Sequence, residues 1–217
     1  KLAWDHPKFL PAGLNRRLGS GVTPGSTYTD LFREWVSETS GPWAACINYM
    51  DAHHPYEPLP EHDRWDDGHI KGIHDSITAI PMGFYLGDDP WWKCEVLEYL
   101  YDGTIRQVDH EVGRLLSILR ERSELSNTLV VVTSDHGEGF GERSPVRGIN
   151  LAGHNVGTHE VNLHVPLVVK YPDQSDGERV ESPVSLTAIP SEIRGVLKGK
   201  RRRFDTHRVL ARTQGLK

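Results

Sequence analysis

The sequence predicts an α/β fold in which a mostly parallel sheet is sandwiched by helices. Apolar segments follow one another in the order helix, strand, long loop, helix, strand, loop, strand, helix. Such alternation is typical of layered α/β domains. The central strand is a continuous run of β-branched residues, as expected for a strand buried on both faces. With 217 residues, the chain is long enough for one sizeable domain or two small ones.

Three helices are indicated by apolar residues at three- and four-residue spacing. The first is predicted over residues 28–39, with Thr27 or Thr29 as its N-cap. A weaker helix is predicted over residues 183–197. The longest helical signal covers residues 93–122. Its apolar face is formed by Val96, Leu97, Leu100, Ile105, Val108, Val112, Leu115, Leu116 and Leu119.

Three strands are predicted, over residues 43–50, 128–134 and 164–172. The segments that follow the first two strands, 51–90 and 135–158, have the polar and glycine-rich composition of long loops. In open parallel sheets, ligands bind outside the carboxyl ends of the strands. Side chains directly after the first and second strands are therefore the candidates for a functional site.

Composition and charge argue against several classes of protein. The net charge of -5 and the pI of about 6.2 give no basic footprint for nucleic acid. The basic run at residues 198–203 is expected to be solvated. No apolar run is long enough for a membrane span, and the N-terminus lacks a signal-peptide pattern, which favours a cytoplasmic location. Cys46 and Cys94 are expected to be small buried residues rather than a disulfide framework.

Asp135 and His136 stand where the second predicted strand ends. Beyond a strand end the side chains need not alternate, so a carboxylate and an imidazole from adjacent residues can converge on one ion. Carboxylates suit Ca²⁺, Mg²⁺ or Mn²⁺, whereas imidazole favours Zn²⁺ or Mn²⁺. Gly137, Gly139 and Gly141 leave the backbone free to approach a ligand closely. The alternative is a polar turn in which Asp135 accepts backbone N–H groups, and the dipeptide alone leaves both interpretations open.

Histidines are concentrated around the predicted strand ends. His53 and His54 follow the first predicted strand, where an imidazole can hydrogen-bond an anionic ester oxygen or protonate a leaving group. A pair of surface histidines is the alternative there. In the later segment, His154 beside Gly153 is the best candidate to reach into a site.

Five motifs form an ordered set over residues 43–196: INYMDAHHPYEP, YDGTIRQVDHEVGRLLSIL, NTLVVVTSDHGEGFGE, GHNVGTHEVNLHVPLVVKYP and SPVSLTAIPSEI. The set resembles the C-terminal half of the sulfatase family within the alkaline-phosphatase-like superfamily. The first motif is similar to the family's D-x-H-x-P-Y segment. The last is similar to a V-S-L-x-D-I-x-P-T-I helix, with Ala188 and Ser191 at the positions where Asp and Thr are usual.

The resemblance implies an alkaline-phosphatase-like α/β sandwich that hydrolyses sulfate or phosphate esters at a divalent metal. The metal is expected to be Ca²⁺, with Mg²⁺, Mn²⁺ or Zn²⁺ as alternatives, and the substrate a small-molecule or glycan sulfate ester. The resemblance assigns Asp135 and His136 as metal ligands. It assigns His53 to the ester group and His154 to the leaving-group side, both as catalytic and substrate-binding residues. Glu160 matches a supporting Glu of the family.

Two features of the family's N-terminal half have no counterpart in this sequence. One is a first-strand pair of metal-binding aspartates, and the other is the C/S-x-P-S/A-R segment, whose Cys or Ser becomes the formylglycine nucleophile. Cys46 is followed by Ile-Asn-Tyr and Cys94 by Glu-Val-Leu, so neither fits. The expected organisation is an irregular segment plus helix over residues 1–42, a partial sulfatase-like domain over 43–197 and a basic tail over 198–217. A missing N-terminal half is then an expected partner.

Three functions stay open at this point. The first is part of a sulfatase whose nucleophile and remaining ligands are supplied elsewhere. The second is a phosphodiesterase or phosphonate hydrolase of the same superfamily, with two metals. The third is a non-catalytic remnant that binds an anion or a partner.

Overall fold

The computed structural model describes residues 23–64, 70–77, 82–143, 148, 150–154 and 158–200. Its helices are α1 (Gly25–Glu38), α2 (Ile70–His74), α3 (Met82–Leu86), α4 (Lys93–Glu121), α5 (Glu160–Leu163) and α6 (Ile189–Leu197). Its strands are β1 (Val130–Thr133), β2 (Phe140–Arg143), β3 (Asn150–Ala152) and β4 (Leu167–Lys170). In these ranges no helix is both long and apolar enough to span a bilayer. The predicted irregular N-terminal stretch, up to residue 22, and residues 201–217 of the predicted basic tail lie outside them.

The chain divides into two compact units. The first comprises Lys1–Lys71 and Leu97–Ile118, and the second comprises Gly72–Val96 and Leu119–Lys217. Helix α4 contributes to both units. The boundaries expected from the sequence, after residues 42 and 197, stay predictions.

Helix α1 buries Phe32 and Val36, as its apolar spacing predicts. The predicted cap at Thr27 or Thr29 is wrong, because the helix begins earlier and no side chain of its own N-cap residue caps it. Instead, the backbone N–H of Gly25 donates to Asp51 Oδ1 over 2.9 Å. Local capping patterns could not reveal this contact, since 26 positions separate donor and acceptor.

Helix α4 confirms the longest helical signal almost to its predicted ends. Leu97, Leu100 and Leu119 are buried as expected. Ile105, assigned to the same apolar face, is 43% exposed, so that assignment is wrong. The middle of α4 instead buries three polar residues, Thr104, Gln107 and Glu111.

Hydrogen bonds explain why polar side chains of α4 can be buried. Gln107 accepts from the backbone N–H of Leu59 at 2.9 Å, and its amide Nε2 donates to Asp51. Glu111 accepts from Arg114 at 2.8 Å. A buried polar group costs little when it is paired, and hydrophobic periodicity cannot register such pairing.

The strand predicted over residues 43–50 is wrong. None of these residues is in a strand, and Cys46 is exposed rather than buried. Cys94 is buried as expected, with 1% exposure. Apolar composition indicates a tendency to burial, but a strand also needs partner N–H and C=O groups beside it. The part of the chain that the structure describes pairs no strand with this segment.

The strands in the described ranges pair antiparallel, so the expected parallel sheet is not found there. Strand β1 pairs with β4, with Val130 opposite Lys170 and Thr133 opposite Leu167. Strand β2 pairs with β3. A parallel connection requires a crossover of a dozen or more residues, usually a helix. Between β1 and β4 the described chain has instead the β2–β3 pair and the four-residue helix α5, and it returns in the opposite direction.

Strand β1 was predicted to be buried on both faces, and this prediction is wrong. Its first three residues are half-buried and Thr133 is exposed, while Val168 on the paired strand is 61% exposed. A continuous apolar run indicates two covered faces. Among the described residues, none packs closely enough on the face of this strand pair that carries Val168 to bury it.

Lys170 ties the end of β4 to the turn that precedes β1. Its ammonium donates to the backbone carbonyls of Ser126 at 3.0 Å and Thr128 at 3.1 Å, and to the carbonyl of Leu125. Burial lowers the pKa of Lys170. The ammonium of this lysine, at the end of an apolar strand, therefore donates hydrogen bonds to backbone carbonyls.

The remaining predictions are met in part. The described residues of the segment 51–90 form the short helices α2 and α3 and otherwise lie in turns and irregular backbone. The weaker helix predicted over residues 183–197 is present only from Ile189, after a 3₁₀ turn over Leu186–Ala188.

Candidate active site

Asp135 and His136 lie in the loop directly after β1, as predicted. The Asp135 side chain is 90% exposed, and its Oδ1 accepts the backbone N–H of His136 at 3.1 Å. The Nδ1 atom of His136 lies 2.8 Å from the carbonyl oxygen of Gly137. A carbonyl only accepts, so Nδ1 carries a hydrogen and the neutral ring keeps its lone pair on Nε2. In this tautomer Nε2 could bind a metal while the other ring N–H is held by a backbone carbonyl, as is usual for metal-binding histidines.

Gly137 is required by a close approach between two backbone segments. A Cβ atom on Gly137 would lie 1.9 Å from the carbonyl oxygen of Val161. The N–H of Gly137 donates to the carbonyl of Asn162 at 2.9 Å, which fixes the loop against helix α5. From the sequence, Gly137 was expected to let the backbone approach a ligand. In the described structure it lets the backbone approach Val161 of the same chain.

His154 contacts His136 directly. The two rings are stacked, with centroids 3.8 Å apart and planes inclined by 27°. Gly153, just before His154, has a φ of +74°, which favours glycine. The structure therefore brings together two of the predicted site residues that are 18 positions apart in sequence.

Glu138 completes this cluster, and sequence reasoning missed it. Its carboxylate oxygens lie 3.2 and 3.3 Å from Nδ1 of His154. The Glu138 side chain is only 5% exposed, against 28% for His154. The available signal was a carboxylate between Gly137 and Gly139, two residues after a candidate metal ligand.

The residues that directly follow residue 50, including His53 and His54, belong to the first unit. Asp51 is buried, and its role there is structural, since it holds the first N–H of α1 and the Gln107 amide. His53 and His54 are exposed. The Nδ1 atom of His53 lies 2.6 Å from the carbonyl oxygen of His54 and donates to it, which leaves Nε2 as the lone-pair nitrogen.

The other histidines of the later segment have local partners. The ring of His159 accepts the N–H of Val161 at 3.3 Å and caps helix α5. Glu160 and His164 form an exposed pair at 3.4 Å. Exposed pairs of this kind contribute little to stability.

Asp135 and His136 could supply two of the ligands of a divalent metal ion. One carboxylate and one imidazole Nε2 are donors that divalent ions accept. Among the residues described, no group of three or more His, Cys, Asp or Glu side chains is arranged to hold an ion. Further ligands must therefore come from outside this pair.

Tyr85 supports the strand that leads to His154. Its hydroxyl oxygen accepts the backbone N–H of Ala152 at 3.1 Å. Burial raises the pKa of Tyr85, and burial also raises the pKa of Tyr49 in the first unit.

The raised pKa of Tyr85 predicts a loss of stability at alkaline pH. In the unfolded chain the phenol titrates near pH 10, whereas the folded chain keeps the proton to higher pH. In that window the unfolded state binds fewer protons, so the free energy of unfolding falls as the pH rises. We expect Tyr85→Phe to show a smaller fall between about pH 9 and about pH 11 in urea unfolding. Equal falls in both proteins would contradict this.

Comparison with known proteins identifies the family. A model of the sulfatase family matches residues 22–199. The N-acetylglucosamine-6-O-sulfatase of Bacteroides thetaiotaomicron is 26% identical over 64% of this chain and 26% of its own. Arylsulfatase K of Xenopus laevis is 31% identical over 87% of this chain and 32% of its own. The crystal structure of yidJ from Bacteroides fragilis, described as a sulfatase, gives 23% identity and a TM-score of 0.45, covering 69% of this chain and 30% of that one.

Because the family model matches most of its length, this chain belongs to the sulfatase family. This confirms the resemblance that the ordered motifs indicated. The chain spans about a quarter to a third of the length of these curated relatives, 26% and 32%.

Proposed function

We propose that the chain forms part of a divalent-metal-dependent hydrolase of sulfate esters. The observation that carries the proposal is the stack of His136 on His154, which puts a candidate metal-binding imidazole beside a candidate leaving-group imidazole. Family membership supports the reaction class. The substrate class we propose is a small-molecule or glycan sulfate ester, in keeping with a relative described as an N-acetylglucosamine-6-O-sulfatase.

Each residue has a proposed role within this chemistry. Asp135 and His136 would hold a divalent metal, Ca²⁺ in the first instance, through one carboxylate and Nε2. When bound, such an ion neutralises charge on the ester oxygens. His53 would hydrogen-bond the ester group, and His154 would stabilise the leaving oxygen. The nucleophile and the remaining ligands, absent from the sequence, would be supplied by another part of the protein.

Metal binding tests this proposal without requiring turnover. We expect the chain to bind Ca²⁺ weakly in isothermal titration calorimetry, and Asp135→Asn to lower the affinity by more than about tenfold. Loss of an outer partner of a metal ligand alone costs about 10- to 100-fold. Because the Asp135 side chain is 90% exposed, the substitution should leave the fold intact.

Asp176→Asn is the matched control, because Asp176 is another exposed acid of the same unit. It should bind Ca²⁺ as the unchanged chain does. If Asp135→Asn leaves both metal affinity and melting temperature unchanged, the metal role is wrong and the non-catalytic remnant becomes the better account. Two Zn²⁺ or Mn²⁺ ions per complete protein would instead favour the phosphodiesterase alternative.

A further inference from the structure

The Glu138 carboxylate is held at His154 by the backbone on both sides of it. Before it, Gly137 is hydrogen-bonded to Asn162 at 2.9 Å. After it, the carbonyl of Gly139 accepts the N–H of Gly153 at 2.9 Å. This second bond joins the neighbour of Glu138 to the neighbour of His154. The carboxylate and the imidazole are thus placed opposite each other by main-chain bonds.

The packing leaves this arrangement little freedom. A Cβ atom on Gly139 would lie 2.8 Å from the Cβ of Leu151, which is 1% exposed. The loop can approach strand β3 this closely only with glycine at that position. Burying a carboxylate is costly unless it is paired, and Glu138 at 5% exposure has the His154 ring as a partner.

The pair defines which nitrogen of His154 carries a hydrogen. Both oxygens of Glu138 lie within 3.3 Å of Nδ1, and an ionised carboxylate can only accept. Nδ1 therefore carries the hydrogen, and Nε2 is the atom that the ring offers on its other side. His136 has the same tautomer, set by the carbonyl of Gly137.

We propose that Glu138 is a positioning residue that fixes the tautomer and orientation of His154. This rests on the proposed function, which gives His154 the leaving-group side. With Nδ1 held by Glu138, the nitrogen presented to the leaving oxygen is Nε2. The ring stack with His136, 3.8 Å between centroids, then sets where that nitrogen lies relative to the metal-binding pair.

The test is the tautomer of His154 in the complete chain labelled with ¹⁵N. Two-bond ¹H–¹⁵N correlation spectra, with the His154 signals assigned through His154→Gln, show which ring nitrogens carry hydrogen. At about pH 8 the form with hydrogen on Nδ1 is expected to exceed the form with hydrogen only on Nε2 by about tenfold or more, since a hydrogen bond to a charged group favours it. A wild-type His154 whose Nδ1 lacks hydrogen would overturn the proposal, whatever the variants do.

Glu138→Leu removes the acceptor and keeps the side-chain volume. In this variant the preference for hydrogen on Nδ1 is expected to fall by about tenfold, because that N–H loses its charged partner. A preference that persists unchanged would refute the role of Glu138. Glu160→Gln is the matched control, since it alters an exposed Glu–His pair of the same unit and should leave the His154 signals in place.

The two proposals fail in different ways. Asp135→Asn is expected to weaken Ca²⁺ binding and to leave the His154 tautomer unchanged. If Asp135→Asn weakens Ca²⁺ binding and Glu138→Leu lowers the preference of His154 for hydrogen on Nδ1, both proposals are supported. If Asp135→Asn weakens Ca²⁺ binding but Glu138→Leu leaves the His154 tautomer unchanged, only the proposed role of Glu138 is wrong.

Discussion

Gly137→Ala is expected to destabilise the second unit by about 3–5 kcal/mol, or to prevent the loop after β1 from folding as observed. A methyl group there would lie 1.9 Å from the backbone oxygen of Val161, and a main-chain atom cannot turn aside as a flexible side chain can. Effects of this size are exceptional for single substitutions and belong to clashes and cavities of this kind. Urea unfolding followed by circular dichroism measures the change.

Gly177→Ala is the matched control for this prediction. Gly177 lies in the same unit, and a Cβ atom on it would meet nothing within 4 Å. Its replacement should change the free energy of unfolding by less than about 0.5–1 kcal/mol, with either sign, since alanine also restricts the unfolded chain. Equal midpoints for the two variants would show that the approach of Gly137 to Val161 does not exist in solution.

Asp51→Ala is expected to destabilise the first unit by about 3 kcal/mol. The substitution leaves the N–H of Gly25 and the amide of Gln107 without their acceptor. Both groups are buried, and a buried donor without a partner costs about 1–3 kcal/mol. The loss should appear in urea unfolding, accompanied by reduced helical circular dichroism as the start of α1 loosens.

Asp30→Ala serves as the comparison for Asp51. Asp30 also accepts from a side chain of α4, Arg114, over 2.5 Å, but its own side chain is 62% exposed. An exposed ion pair contributes about 0–1 kcal/mol, so this variant should lose little. If both variants lose the same stability, Asp51 is not the buried anchor that its hydrogen bonds indicate.

Hydrophobic periodicity predicted those features of the fold that depend on residues close together in sequence. The bounds of α4, the apolar strands β1 and β4 and the loop that carries Asp135 and His136 all follow from residues close together in sequence. His154 was expected from its place beside Gly153, and the family resemblance assigned it to the leaving-group side; in the structure its ring is stacked on His136. The functional roles of these residues, and of His53, stay predictions.

Pairing over long distances accounts for what the sequence could not predict. The direction of β4 relative to β1 depends on how the connection packs, which composition does not encode. Residues 43–50 have strand-like composition, yet a strand also depends on neighbours that periodicity cannot supply. Glu138 and Asp51 are recognisable only once their partners, His154 and Gln107, are known.

The tie made by Lys170 also limits which substitutions its position tolerates. Three carbonyl oxygens converge on one ammonium, which has three N–H donors arranged around a single nitrogen. Arginine has the same charge, but its donors lie in a plane and spread over three nitrogens, so they cannot converge in this way. At this position lysine and arginine are not equivalent, although an exchange between them would usually count as conservative.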